Sequence, residues 1–515
     1  MAEKSGIARR DLLQVGAVTV AVPGFLAACA SGRSNPGPEV GVPVASAHDF
    51  ERFGVTKETI GKVMAVALSR GGDFADLYFE HSSDLSVGYE DGKVNRAQTS
   101  VGLGVGIRVV VGDQTGYAFT EELSLDAMTA AARTAAGIAS LSPGQAPADL
   151  TSARYARHYD TEYDWRDVGV AAVKPLLESL GERAHALEPN LRRVQQRFLA
   201  GQKNIMVVDS DGRVSVDSQP MTRIYMTVVM EKDGETQSNS YNLAAREGMG
   251  FYTPERQERL VQVALDRTRI LFDSGRPPAG ELPVVLAAGS SGILLHEAIG
   301  HGMEADFNRK GISIFSDRLN KRVAIDDVTI IDDGTQANTR GAINFDDEGN
   351  PSQSTPLVEK GILRSYLHDR ISAAQYKVDP TGSGRRESFK HVPMPRMRAT
   401  YMSPGPHNPE EVIGRVKKGI YCESFTNGQV NIGAGDYSFY VKNGYLIEDG
   451  KKTQPIKDVN IIGNGPESLS RISMVGNDFK MDESGWTCGK DGQGVPVSLG
   501  LPTILVDGIV VGGKS

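Results

Sequence analysis

Along the first half of the chain, apolar and polar residues alternate with a period of two, which predicts strands joined by tight turns. "DFADLYFEH" and "DLSVGYEDGKV" carry this pattern, and Asp91-Gly92 is a strong hairpin signal. "VGLGVGIRVVVGDQTGYAFT" repeats it as a strand pair around Gly112-Asp113. The spacing then becomes helical over 124–139, with Ser124 as N-cap, and again over 173–187 and 254–271. Further strands are predicted over 204–209, 213–218 and 223–231, with turns at Asp211-Gly212 and Asp233-Gly234.

"DSGRPPAGELP", residues 273–283, is rich in Pro and Gly and marks the best domain boundary. Beyond it come a buried strand over 284–288, the turn Gly289-Ser290-Ser291-Gly292 and a helix carrying two histidines. "GILRSYLHD", "GQVNIGAGDYSFYVKNGYLIEDGK" and "LPTILVDGIVVGG" then read as short strands separated by glycine turns. The expected fold class is α+β. An N-terminal α/β domain with a mixed sheet spans 48–275. A C-terminal, mostly antiparallel and barrel-like β domain spans 276–515 and carries the histidine helix.

Composition narrows the function. With 515 residues, 40% hydrophobic and 23% charged, the chain has the balance of a soluble globular protein. The net charge of −8 and the lack of a basic stripe argue against a nucleic-acid partner. Three cysteines, Cys29, Cys422 and Cys488, exclude a disulfide scaffold. Residues 1–29 read as a twin-arginine, lipoprotein-type signal. Arg9 and Arg10 precede a short apolar run, and "LAAC" ends on Cys29 as the lipidation site. Residues 30–47 read as a flexible tether. The expected location is the periplasmic side of the cell envelope, with a membrane tether through lipidated Cys29; the alternative is cytoplasmic.

The segment "LLHEAIGHGMEADF" places His296, Glu297 and His301 together. On a regular α-helix, positions five apart are rotated by roughly 140° and face apart. His296 and His301 share a metal only if the helix is widened between Ala298 and His301, as a π-bulge does, and Gly300 makes such a deviation cheap. Glu297 stands where the general base stands in His-Glu-x-x-His zinc hydrolases. Cys488, in "ESGWTCGKDGQGVPVSLG", is the candidate third ligand, since a catalytic zinc takes three protein ligands. Cys422 reads as a core residue. Glu304 and Asp306 read either as partners that orient a histidine, or as a solvated acidic helix end or partners of Arg309 or Lys310, and neither is placed in the site. Trp165 and Trp486 read as core residues, with Trp486 also a candidate wall of the cleft.

Together, "HEAIGHGMEADFNRKG", "PMPRMRATYM", "GNGPESLSRISMVGNDF" and "TCGKDGQGVPV" resemble the TldD/PmbA family of metallopeptidases, in its metal-bearing TldD-type subunit. The resemblance runs from about residue 55 to 512. It implies Zn2+ on His296, His301 and Cys488, with Glu297 as catalytic base. It also implies a TldE/PmbA-like partner, with a homodimer as the alternative, and cleavage of unfolded peptides in extended form. A thiolate ligand weakens the Lewis acidity of zinc, so modest turnover is expected. Two rival readings are a zinc-retaining, non-catalytic assembly subunit and a metal-dependent amidase acting on a small molecule. The export signal departs from the family's cytoplasmic habit.

Overall fold

The period-two pattern of the first half becomes strands far longer than the segments that announce it. The computed structural model describes residues 48–139 and 146–513, so Arg9, Arg10, Cys29 and the tether lie outside the described residues. Six strands form one sheet: β1 (Phe74–Glu90), β2 (Lys93–Val111), β3 (Gln114–Thr120), β4 (Leu191–Asp209), β5 (Arg213–Lys232) and β6 (Glu235–Ala245). Their order is β3-β2-β1-β4-β5-β6, with every pairing among them antiparallel. A two-residue strand, Thr151–Ser152, joins β5 in parallel and makes the sheet mixed. Asp91-Gly92 and Asp233-Gly234 each take two positive φ angles, the geometry of a tight hairpin turn.

The strands predicted over 204–209, 213–218 and 223–231 are therefore pieces of just two, β4 and β5. Outward-facing charges disguise the rest. In β4, Arg192, Arg193 and Arg197 point to solvent while Val194, Phe198 and Ala200 face the core.

All four long helices lie on one face of this sheet. α1 (Lys57–Ala67) and α2 (Leu125–Ala136) cover one end of the strands, over Leu77, Phe79, Met206 and Val208. α3 (Val170–Leu187) and α4 (Pro254–Arg269) cover the other end, over Val87, Tyr89, Phe198 and Met226. Thr56, Ser124 and Thr253 cap α1, α2 and α4 by accepting from the third residue onward. Trp165 belongs to this core, beside Phe198, with its indole N–H donating to the Glu247 carbonyl. The opposite face, with Tyr78, Ile205 and Val207, packs against Phe345 and Phe389 of the second half.

From α4 the chain runs through the Pro/Gly-rich stretch into β7 (Gly280–Leu286). Further on come β8 (Lys418–Val430), β9 (Asp436–Glu448), β10 (Val459–Asn464), β11 (Trp486–Lys490), β12 (Gln493–Leu501) and β13 (Ile504–Gly513). Strands β7, β8, β9, β10 and β13 pair in a closed circuit, parallel only between β7 and β8. Val284 sits between Ile420 and Val506 in this ring, and Cys422 beside Leu286 is fully buried there. One predicted strand fails. Of "GILRSYLHD" only Ile362–Leu363 is a strand. Tyr366, Leu367 and His368 are buried instead by an irregular segment, with Tyr366 Oη donating to the Phe315 carbonyl (2.7 Å). Among the described residues, no helix is long and apolar enough to cross a membrane.

Candidate metal centre and active site

β7 leaves the ring through a single 3-10 turn, Ser290–Gly292, directly into the histidine helix. That helix is widened. Leu295–Gly300 forms a π-helix, and the His301 N–H donates to the His296 carbonyl five residues back. The extra residue in the turn brings the two imidazoles onto one side, with ring centroids 5.1 Å apart. Leu294, Leu295, Ala298 and Ile299 occupy the other sides and are buried in the second core.

Gly300 serves differently from the expectation. Its φ of −60° is ordinary helix, so left-handed freedom is not used. A Cβ there would lie 2.1 Å from Met397 Sδ, and one on Gly465 would lie 1.9 Å from the Ala298 carbonyl oxygen. Both glycines let neighbouring segments press against the widened turn.

Cys488 lies in β11, and its Sγ is 3.4 Å from His301 Nε2. The donor atoms of His296, His301 and Cys488 all lie within 4.8 Å of one another, and all three residues are buried. Burial alone would raise the Cys488 thiol, but the facing His296 and His301 outweigh it and bring it well below its ordinary value. His301 shows the mirror effect. Burial disfavours its charge, yet Glu304 and the Cys488 sulfur raise it well above the usual imidazole range. Both ring nitrogens of His296 are buried without a hydrogen-bond partner. Buried polar atoms are rarely left so. Two imidazoles and a thiolate are a donor set suited to zinc, with one position left open. The residues fit the metal.

Glu297 points beside this trio, with Oε2 3.9 Å from His301 Nε2 and a side chain one-fifth exposed. His296 and Glu297 line a cleft of about 490 Å³ together with Trp486 and Thr487. Its far wall is β5 and β6, through Arg223, Tyr225 and Asn242, so the cleft lies between the two halves. Trp486 both walls it and packs on the second core.

Glu304 and Asp306 are not a solvated helix end. Glu304 is fully buried and accepts from His301 Nδ1 at 3.0 Å, while Lys490 Nζ lies 3.0 Å from Glu304 and 2.8 Å from Asp306. Their partner is Lys490, not Arg309 or Lys310. Burial would raise the Glu304 carboxyl, but Lys490 and His301 bring it down to about 2. The signal was present in the spacing. In a strand, residues two apart share a face, so Lys490 follows Cys488 towards the same site. Arg396, within "PMPRMRATYM", donates to the Cys488 carbonyl at 2.6 Å and anchors that strand.

Residues 279–513 match the PmbA/TldA metallopeptidase C-terminal domain, 163–271 the central domain and 75–139 domain 1. A Haemophilus influenzae protein named metalloprotease TldD homolog is 36% identical over 468 residues, covering 90% of this chain and 97% of its own. The chain belongs to the PmbA/TldD metallopeptidase family. A Saccharolobus solfataricus family member, named zinc metalloprotease TldD homolog, is 34% identical over 297 residues, 55% of this chain and 66% of its own. In fold, TldE from Thermococcus kodakarensis superposes with a TM-score of 0.71 at 17% identity, covering 88% of this chain and all of that one. The PmbA/TldD motif segments converge on one place: "PMPRMRATYM" and "GNGPES" press on the widened helix that carries "HEAIGH", and "TCGK" faces it.

Proposed function

We propose that this chain is the metal-bearing subunit of a zinc-dependent peptidase that hydrolyses extended peptides in the cleft beside His296 and Glu297. The observation that carries this reading is the buried trio His296, His301 and Cys488, in which His296 has no other partner. The zinc metalloprotease name of the Saccharolobus relative supports the choice of metal. Zinc held there supplies Lewis acidity, polarising the scissile carbonyl and lowering the pKa of water towards ~7.

The chain's own residues divide the remaining work. Glu304 holds the proton on His301 Nδ1, which leaves Nε2 as the ligand atom. Lys490 keeps Glu304 ionised by pairing with it. Glu297 accepts a proton from the attacking water and returns it to the leaving amine nitrogen. Asn239, Ser240 and Asn242 of β6 offer the cleft wall along which an extended peptide lies.

The likeness to TldE supports a TldE/PmbA-like partner over a homodimer. Arg9, Arg10 and Cys29 support export by the twin-arginine route and a lipid tether at the cell envelope. The decisive experiment is metal content and cleavage of an unstructured peptide, wild type against Cys488→Ala. About one zinc per chain, lost together with cleavage in the variant, is the expected result. Zinc and cleavage that both survive the substitution refute the site.

A further inference from the structure

Beyond the metal, the interface between the halves holds a group of arginines that no carboxylate among the described residues pairs with. Arg340 is nine-tenths buried, and its guanidinium donates to neutral acceptors only: Nε to the Trp486 carbonyl (3.3 Å) and Nη2 to Thr487 Oγ1 (3.4 Å). Burial and the nearby guanidiniums of Arg223 and Arg246 push it down to about 9. Arg246 is 2% exposed, and its Nε has no hydrogen-bond partner. Arg223 donates to Asn242 Oδ1 (2.9 Å) and stacks on Tyr225, and burial pushes it down to about 10. None of the three forms an ion pair among the described residues.

Glu80, Asp84, Asp346, Asp347 and Glu387 line a cavity together with Arg246 and Arg340, but among the described residues no carboxylate stands at ion-pair distance from the three guanidiniums. Asp217, whose charge Arg246 feels, accepts from Tyr159, Asn344 and Gln219. Asp482, beside Arg223, accepts from Trp486 Nε1 (2.6 Å). Glu80 pairs with Lys203 (3.4 Å), and Asp346 accepts the backbone N–H groups of Glu348, Asn350 and Gly384. Burying a cation without an anion is costly, so an unanswered cluster is expensive unless a ligand completes it.

Position says where that ligand comes from. Thr487, adjacent to Cys488, borders both the cleft of His296 and Glu297 and a second cavity of about 440 Å³ lined by Arg246 and Arg340. Arg223 lines the first cleft. A chain lying past the metal trio therefore meets Arg223 in the same cleft, and Thr487, beside Cys488, carries the contact on to Arg340.

We propose that Arg223, Arg246 and Arg340 form an anion subsite that binds a carboxylate of the peptide substrate. This rests on the peptidase reading above. The carboxylate is either the peptide's C-terminus or an acidic side chain, and the guanidinium fork suits both.

The test measures binding of a labelled, unstructured peptide to the zinc-loaded full chain carrying Glu297→Gln, which prevents turnover. Three probes are compared: a free C-terminal acid with one internal Glu, its C-terminal amide, and its Glu→Gln analogue. Loss of about tenfold or more in affinity with the amide assigns the chain terminus, and with the Gln analogue the side chain. Arg340→Gln abolishes the discrimination, Arg340→Lys retains part of it, and Arg223→Gln, at a half-buried position that tolerates change, reduces it. Equal affinity for all three probes, no binding of any probe, or full discrimination in both Gln variants overturns the subsite. Carboxylate-dependent binding without cleavage by the wild-type chain overturns the peptidase reading and leaves the subsite standing.

Discussion

Two groups of buried arginines occupy the same interface between the helix-backed sheet and the catalytic half, and they are built on opposite principles. Arg108 is fully enclosed and answered on both sides, by Asp76 at 2.6 Å and Glu348 at 2.7 Å. Arg386, from the second half, adds a second contact to Asp76 at 3.2 Å. Arg223, Arg246 and Arg340 touch carbonyls, a hydroxyl, an amide and aromatic rings. The first group closes its own charge and joins the halves. The second leaves positive charge facing a cavity. The same residue type is paired in one place and left unpaired in the other, and direct contact with a carboxylate tells them apart.

That contrast breaks most sharply under paired substitution. Arg108→Gln strands Glu348 in the interior, leaves Asp76 with Arg386 alone, and is expected to cost about 3–5 kcal/mol of stability, read by urea unfolding. Arg340→Gln removes a cation that has no partner, so it should cost less than about 1 kcal/mol or stabilise. Equal losses in the two variants would erase the distinction. A smaller effect is expected at Glu304, where the charge is closed by Lys490 and serves His301. Glu304→Gln should lower zinc affinity by roughly ten- to a hundredfold in a chelator competition, with the fold retained by circular dichroism. Unchanged zinc affinity would reduce Glu304 to packing.

The smallest effect belongs to pH. Burial, then Glu348, pushes Asp346 up to about 7 and Asp369 up to about 6. Both lie above the unfolded value of about 3.9, so each binds its proton more tightly when folded. Their contribution is fully present below about pH 4 and is lost as pH rises through about 6 to 7. Asp346→Asn should therefore flatten the decline of stability across that window. A slope identical to wild type would show that Asp346 titrates normally.

Much of this was legible from residue order, within limits that have physical causes. The hairpin at Asp91-Gly92, the cap Ser124 and the helix it opens are local, so short windows carry them. So does the His296-Glu297-His301 spacing, which by itself demands a widened turn if the imidazoles are to meet. Strand length was not legible, because Arg192, Arg193 and Arg197 break the apolar count, and the irregularity at Arg192-Arg193 interrupts the alternation as well. Glu304 as a histidine partner stayed one of two readings, because an acidic residue near a helix end is usually solvated; Lys490, its partner, lies 186 residues away. The arginine cluster is less visible still. Arg223, Arg246 and Arg340 belong to no shared motif, and only the packing of β5, β6 and β11 brings them together.

The closed circuit of strands sets a timetable for synthesis. β7 is the first strand of the catalytic half to leave the ribosome, yet its neighbours are β8, made some 130 residues later, and β13, the last strand of all. Until β13 arrives, Gly280–Leu286 has an open edge, and unpaired strand edges recruit other chains. Cys488 also emerges late, about 190 residues after His296. The sheet of the first half, whose strand contacts are mainly between neighbours in the chain, is free to form while the catalytic half is still being made. The trio of His296, His301 and Cys488 is thus completed only once nearly the whole polypeptide exists, so an unfinished chain cannot yet hold the proposed metal.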